Sequence, residues 1–276
     1  MSLFDQSPGS DIAGWAGVST ITLREMLVDG WFRSARLLRQ HMLMLVTVGH
    51  GHHEIDFRAL ACRPGTLLWA TPGQAVRLGG QPGLDAIVVC WDPSAVTDVP
   101  AGLCGGYWQL AGEDEDAVIN EVSQLVVDCQ RHSSGTLAAE LLRHQLTVLL
   151  LRIALLPAGE PAGDGAYQPF RAAVEEHYAR TRRVEEYAER MGYSVRTITR
   201  ACLAATGRSA KQVIDDRVTL EAKRLLAATD TPIADIGRML GFPEPTNFGR
   251  FFYREVGTSP GAFRAGQRTV PGARSA

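Results

Sequence analysis

Lysine does not occur in the first 166 residues of this 276-residue chain. That stretch holds 10 arginines and 18 acidic residues, a balance of −8, whereas residues 167–276 hold 18 basic and 12 acidic residues, a balance of +6. The total of −2 therefore conceals two parts of opposite charge. The basic C-terminal part indicates a polyanionic partner, and the acidic N-terminal part indicates a different role.

The chain also lacks paired cysteines, a long apolar run and a basic N-terminus. Its five cysteines form no CxxC pair and are odd in number, so we expect reduced, buried thiols at Cys62, Cys90, Cys104, Cys129 and Cys202. The longest apolar run, 146–156, is interrupted by Arg152 and is shorter than the roughly 20 residues of a membrane-spanning helix. The start, MSLFDQSPGSD, has no basic residue and does not resemble a secretory signal. We expect a cytoplasmic protein with no membrane partner.

The pattern of turns and periodicities divides the chain into four parts. Residues 1–112 contain short β-type runs separated by turn signals, among them HMLMLVTV, EIDFRAL, TLLWA and LDAIVVCW, and these predict a small β-barrel or sandwich. Residues 113–156 change to helical periodicity, and residues 157–166, PAGEPAGDGA, have the composition of a linker. Residues 167–268 are helical throughout. The predicted fold class is α+β with two domains, a β domain followed by two helices and then an all-α domain.

The second helix before the linker, 136–156, has an apolar seam with spacings of 4, 3 and 4 residues. The seam consists of Leu142, Leu146, Leu149 and Ile153. Such spacing is typical of coiled coils, so the seam could be the interface of a homodimer. It could equally pack on the β domain of its own subunit, and the sequence leaves both alternatives open.

The helical part contains an internal repeat. AERMGY (188–193) aligns with GRMLGF (237–242) at an offset of 49, and ITR (198–200) aligns with FGR (248–250) at an offset of 50. Each unit, at about 184–205 and 233–255, has a short helix, a glycine turn and a second helix. This is the form of a helix-turn-helix, in which the second helix, the recognition helix, enters the DNA major groove.

Both recognition helices carry residues suited to DNA. Arginine binds guanine through two hydrogen bonds, and hydroxyl and amide groups bind bases or phosphates. The predicted DNA-contacting residues are Arg196, Thr197, Thr199, Arg200, Thr246, Asn247 and Arg250. We expect the helix at 210–228 to hold the two units together, so that they reach successive major grooves of double-stranded promoter DNA.

From about Tyr167 to Arg264, the chain resembles the DNA-binding domain of AraC/XylS-family transcriptional regulators. The resemblance is carried by Ala222, Leu225, Leu226, Thr229, Ile233, Ile236, Gly241, Phe242, Phe248, Arg250, Phe252, Gly257, Ser259, Pro260 and Arg264. It implies a transcriptional regulator whose DNA contacts come from the front of each recognition helix. It also implies RNA polymerase as a further partner if the protein is an activator.

The chain departs from the family pattern at four positions. Cys202 replaces a large apolar residue and Gly237 replaces alanine, while Pro245 and Gly249 stand where polar side chains are common. The last two leave the second recognition helix few groups for reading bases. We therefore expect the first helix to carry more of the sequence specificity and the second to position the protein on the DNA backbone.

Residues 40–92 resemble the cupin-like barrel that AraC-type regulators often place before the DNA-binding domain. The resemblance is carried by the stretch GHGHHEIDFRALACRPGTLLWATPGQAVRL, and it implies a pocket for a small organic effector. Binding of such an effector would shift the population between two conformations. Candidate lining residues, chosen for their bulk and their strands, are Met42, Met44, His53, Trp69 and Trp91.

The alternative function is a metal-dependent cupin-type enzyme or a metal sensor. His50, His52, His53 and Glu54 are suitable ligands for a transition metal, but their spacing does not match the cupin pattern, and adjacent His52 and His53 would face opposite sides of a strand. The sequence shows no paired nucleophile and base and no phosphate-binding loop. We therefore expect no metal, no cofactor and no catalysis.

Overall fold

The computed structural model describes residues 17–28, 34–96, 105–131, 135–156 and 166–268. The chain separates into two compact units, Met1–Gly159 and Glu160–Ala276. Cys104 and linker residues 157–165 lie outside the described ranges. The α+β organisation predicted from the sequence is confirmed, because a sheet-rich unit with two antiparallel sheets precedes an all-helical unit.

The described part of the first unit contains nine strands in two antiparallel sheets. They are β1 Val18–Thr22, β2 Arg36–Leu37, β3 His41–Val48, β4 Gly51–Ile55, β5 Arg58–Cys62, β6 Thr66–Ala70, β7 Ala75–Arg77, β8 Asp85–Trp91 and β9 Gly106–Gln109. The five-stranded sheet has the order β1-β8-β3-β6-β9 and the four-stranded sheet the order β2-β7-β4-β5. A short helix, α1 (Leu23–Val28), follows β1 and buries Leu23 and Met26.

Side chains on the two faces of the five-stranded sheet enter different cores. The interior cluster joins both sheets and α1, and its members include Met26, Met42, Met44, Ile55, Cys62, Val76, Val88 and Cys90. The outer cluster lies on the other face and includes Leu43, Leu45, Trp69, Val89 and Trp91. Because strand residues alternate between faces, β3, which is apolar at every position from Met42 to Val46, serves both clusters.

The prediction of one continuous strand over EIDFRAL is wrong at the centre of this segment. Asp56 and Phe57 have φ values of 51° and 65° and form the two-residue turn between β4 and β5. Positive φ at both positions matches the twist of a hairpin, and aspartate tolerates it. The Asp56 carboxylate accepts hydrogen bonds from Gln74 Nε2 at 2.7 Å and from the backbone N–H of Ala75 at 3.1 Å, which holds the turn against the adjacent segment.

Two helices, α2 (Glu113–Arg131) and α3 (Thr136–Leu155), complete the outer cluster. The predicted seam of Leu142, Leu146, Leu149 and Ile153 is at most 1% exposed and packs within the unit. The five-stranded sheet has a second apolar face, which explains this placement. These four side chains therefore do not form the surface for a second copy.

The second unit contains seven helices in its described residues. They are α4 Tyr167–His177, α5 Val184–Met191, α6 Val195–Thr206, α7 Ala210–Ala228, α8 Ile233–Met239, α9 Pro245–Val256 and α10 Pro260–Arg268. The long helix α7 contacts α6, α8 and α9 and buries Ile214, Val218, Ala222 and Leu226 completely. One core therefore holds both predicted helix-turn-helix units, as the sequence indicated.

Equivalent glycines end the first helix of each unit in the left-handed conformation. Gly192 has a φ of 68° and Gly241 a φ of 74°. A Cβ at Gly192 would meet no atom within 4 Å, whereas a Cβ at Gly241 would lie 2.5 Å from the carbonyl oxygen of Ala179. The second turn therefore requires glycine both for its conformation and for the close approach of another backbone segment.

We predict that Gly192→Ala lowers the free energy of unfolding of the helical unit by about 1 kcal/mol, the cost of the left-handed conformation. Gly241→Ala should cost at least ~2 kcal/mol because it adds a clash with backbone. Denaturant unfolding followed by far-ultraviolet circular dichroism measures both. Tryptophan fluorescence reports the first unit separately, since all five tryptophans precede residue 110. Equal losses in the two variants would contradict the close contact at Ala179.

Candidate functional site

The recognition helices α6 and α9 are structural equivalents. Each has twelve residues, and Val195–Thr206 and Pro245–Val256 differ by 50 at both ends. Each follows a shorter helix and a left-handed glycine, and each ends at another left-handed glycine, Gly207 or Gly257. The internal repeat in the sequence is therefore a repeat of three-dimensional form.

One side of each recognition helix is buried at equivalent positions. Ile198 and Phe248 are 0% exposed, and so are Cys202 and Phe252 one turn later. Burial of a large apolar side chain contributes roughly 1.5–3 kcal/mol, so these positions fix the rotation of each helix about its axis. Cys202 serves as a small apolar core residue, and burial raises the pKa of its thiol to about 11.

The opposite side of each helix carries the predicted DNA-contacting residues. Arg196, Arg200, Thr246, Asn247 and Arg250 are exposed, and Thr197 and Thr199 are half-buried. The predicted DNA-contacting residues of each recognition helix therefore lie together, away from its buried side.

Thr197 has a structural role in α6. Its backbone N–H donates to the Ser194 hydroxyl at 3.0 Å, and the two hydroxyls lie 2.8 Å apart. Ser194 is the N-cap of α6, so the Thr197 hydroxyl belongs to the capping arrangement. Arg196, Thr199 and Arg200 are left as the principal candidates for contacts from this helix.

The arginines of this surface are not neutralised by the protein. In the described parts of the chain, the side chains of Arg196, Arg200 and Arg250 have no ion-pair or hydrogen-bond partner. Several other arginines of the same unit are paired: Arg208 with Asp216, Arg217 with Glu175 and Glu221, Arg238 with Asp235, and Arg254 with Glu255. Positive charge therefore remains available on the exposed side of both recognition helices.

Tyr253 was not predicted as a site residue. It is 61% exposed and lies three residues after Arg250, on the same side of α9. A tyrosine hydroxyl is a common partner for DNA phosphates. The sequence does contain a signal for Tyr253 as a contacting residue, because it lies seven residues after Thr246 and three after Arg250.

The predicted effector-lining residues divide between two cores. Met42 and Met44 belong to the interior cluster, and His53, which is 1% exposed, lies on the same face of β4 as Ile55 of that cluster. Trp69 and Trp91 belong to the outer cluster, where His41 stacks on Trp91 with a centroid distance of 4.9 Å. Three of the five residues therefore face the interior of the unit, and both tryptophans lie in the other core.

His53 is held as a neutral imidazole. Its Nδ1 accepts a hydrogen bond from the backbone N–H of Gly79 at 3.0 Å, so its proton is on Nε2. Burial, and secondarily the nearby His52, lower its pKa to about 4. Nε2 is buried and has no hydrogen-bond partner among the described residues.

The residues of the metal alternative are not brought together. Glu54 forms an ion pair with Arg77 at 2.6 Å, His52 lies 3.0 Å from Gln81, and His53 bonds to Gly79. Within the described ranges, no group of three or more histidine, cysteine, aspartate or glutamate side chains is placed to hold a metal ion. In those same ranges, no helix is both long and apolar enough to cross a membrane.

Comparisons with known proteins identify the class of the helical unit. Residues 187–266 match the family described as "Helix-turn-helix domain". Among curated relatives, the activator RhaS of Escherichia fergusonii is 28% identical over 169 residues, which are 59% of this chain and 60% of RhaS. The activator RhaR of Klebsiella pneumoniae is 26% identical and covers 83% of this chain and 86% of its own. The crystal structure of ToxT from Vibrio cholerae covers 93% of this chain at 10% identity, with a TM-score of 0.48.

The chain therefore contains a helix-turn-helix domain of the AraC type. It is a homologue of the RhaS and RhaR regulators, and the resemblance of the helical part to the AraC/XylS DNA-binding domain is confirmed. The chain spans about 60% of the length of RhaS in that alignment.

We predict that the imidazole of His53 titrates near pH 4. The unfolded chain binds a proton below pH 6.5 and the folded chain only below about 4, so His53 reduces the free energy of unfolding as pH falls between these values, by on the order of 3 kcal/mol. Heteronuclear NMR of the imidazole nitrogens measures the titration. His53→Leu should remove this part of the pH dependence. A midpoint near 6.5 would show that the ring is not buried as described.

Proposed function

We propose that this protein is a cytoplasmic, sequence-specific DNA-binding regulator of transcription and not an enzyme. The observation that carries the proposal is the pair of equivalent helices, each with one side anchored in the core and the other side presenting unpaired arginines. The homology to transcriptional regulators supports it. So does the net charge of +6 on residues 167–276.

The two recognition helices make different kinds of contact with DNA. Arg196, Thr199 and Arg200 give α6 two guanidinium groups and a hydroxyl for base edges in the major groove. On α9, Thr246, Asn247 and Arg250 stand beside Pro245 and Gly249, which offer no polar side chain, so α9 chiefly contacts the backbone. The two helices then occupy successive major grooves about one turn of DNA apart.

Activation of transcription is the proposed mode of regulation. RhaS and RhaR are both named as transcriptional activators, and this homology supports the same role here. RNA polymerase is then a further partner beside promoter DNA.

The interior cluster is the proposed site of a small organic effector. The Nε2–H of His53 is a buried donor without a described acceptor, and an unsatisfied buried donor costs about 1–3 kcal/mol. An uncharged ligand with a carbonyl or hydroxyl oxygen would satisfy it, and Met42 and Met44 would supply adaptable apolar contacts. Binding of such a ligand would shift the His53 imidazole resonances, which gives the effector proposal its readout.

A homodimer is proposed through the exposed side of α3. This side carries an exposed stripe of Leu137, Leu141, His144, Val148, Leu151 and Leu155. The spacings of 4, 3, 4, 3 and 4 residues are those of a coiled-coil seam, and the stripe lies opposite the buried seam of Leu142 and Leu146. Leu137 and Leu155 are more than 80% exposed, so pairing with a second copy would bury substantial apolar surface.

We predict different effects of Arg200→Ala and Arg250→Ala on DNA binding. Each should weaken binding of an in vitro selected duplex by ~1–3 kcal/mol. Arg200→Ala should also relax discrimination among base substitutions in the site. Arg250→Ala should weaken all sequences alike and reduce the slope of log affinity against log salt by about 1. Fluorescence anisotropy titrations at several salt concentrations provide these values.

Arg143→Ala is the matched control, because it removes one exposed positive charge from α3 in the first unit. Its affinity should equal that of the parent. The proposed DNA interface is refuted if all three variants bind with the parent's affinity and salt slope.

We predict that Leu151→Glu converts the dimer to a monomer of 30.0 kDa. Leu151 is 44% exposed, so a charge there should weaken the stripe without disrupting the core. Ala154→Glu is the control, since it adds the same charge at an exposed position of α3 about 100° from the centre line of the stripe. Light scattering after size-exclusion chromatography measures the mass. A monomeric parent, or a Leu151→Glu dimer as tight as the parent, would rule out this interface.

A further inference from the structure

Gly249 is the fifth of the twelve residues of α9 and lies well inside the helix. Glycine is less favourable than alanine in a helix interior because it loses more conformational freedom on folding. A glycine at such a position is usually accounted for by a left-handed conformation or by tight packing. Gly249 therefore requires a physical reason.

The protein itself supplies no such reason. Gly249 is not among the glycines with positive φ, and a Cβ built on it would meet no heavy atom within 4 Å. Gly237 in α8 is different, because its Cβ would lie 3.0 Å from the Cβ of Phe248. Close packing within the unit explains Gly237 and leaves Gly249 unexplained.

Gly249 is half-buried and lies at the edge of the exposed side of α9, next to the buried Phe248 and Phe252. Thr246, Arg250 and Tyr253 all lie to one side of it around the helix axis, about 40–100° away, and all three are exposed. The equivalent position of α6, 50 residues earlier, is Thr199. The two recognition helices therefore differ at this point, with a side chain on α6 and bare backbone on α9.

We propose that Gly249 is a point of close approach between the α9 backbone and DNA, which rests on the proposed function of α9 as a DNA-binding helix. Without a Cβ, the helix backbone can lie directly against the sugar-phosphate wall of the groove, while the neighbouring exposed side chains reach phosphates. A methyl group at this position would hold the whole helix away from the DNA and lengthen each flanking contact. Gly249 is thus a positioning residue for α9, the recognition helix of the second helix-turn-helix unit.

The test compares Gly249→Ala with Gly266→Ala in the full chain. Gly266 is an exposed glycine of α10 whose added Cβ would also meet nothing within 4 Å. Helix α10 packs through Phe263 on Phe252, which is on the buried side of α9. Gly266 is therefore remote from the exposed side of α9. Both substitutions should raise the midpoint of thermal unfolding because alanine favours a helix.

Affinity is measured by anisotropy for a duplex that the parent enriches from a random library. Gly249→Ala should bind at least tenfold more weakly than the parent despite its higher thermal stability, and Gly266→Ala should bind as the parent does. Parental or tighter binding by Gly249→Ala overturns the inference. A parent that enriches no duplex overturns the proposed function, and this inference with it, which distinguishes the two failures.

Discussion

Burial of one side of each recognition helix is the constraint on which the proposed interface depends. Ile198 and Phe248 are completely buried against a core organised by α7, and this fixes the side of α6 and α9 that faces solvent. Arg200 and Arg250 lie two residues further along each helix, so burial of the anchor determines their exposure. A change that loosened the anchor would alter DNA binding without touching a contacting residue.

Much of the helical unit could be predicted from the sequence because its signals are local. Glycine ends helices in the left-handed conformation, Ser194 begins one, and the repeat placed α6 and α9 correctly. Pro245 in GFPEPTNFGRFF is the first residue of α9, where its missing N–H has no intrahelical partner in any case. The exposed residues followed from helical periodicity once these ends were known.

The sheet-rich unit was less predictable because its strands are apolar on both faces. Trp69 and Met42 lie on neighbouring, paired strands, yet they enter different cores, and only the register and the packing of α2 and α3 decide which. Asp56 was misplaced in a strand for a different reason, since no glycine or proline marks the turn between β4 and β5. The sequence likewise left open whether the seam of α3 packs within the unit or on a partner, since periodicity does not distinguish an internal apolar face from an external one.

The most direct test of the central claim is a hydroxyl-radical and methylation-protection footprint of the protein on its selected duplex. Two equivalent helices held by one core should protect two major-groove segments on the same face of the DNA, with centres about 10 base pairs apart. Guanine protection should be stronger in the segment bound by α6, and backbone protection should dominate in the other. A single protected segment, or protection on opposite faces, would contradict an account in which α6 and α9 bind DNA together.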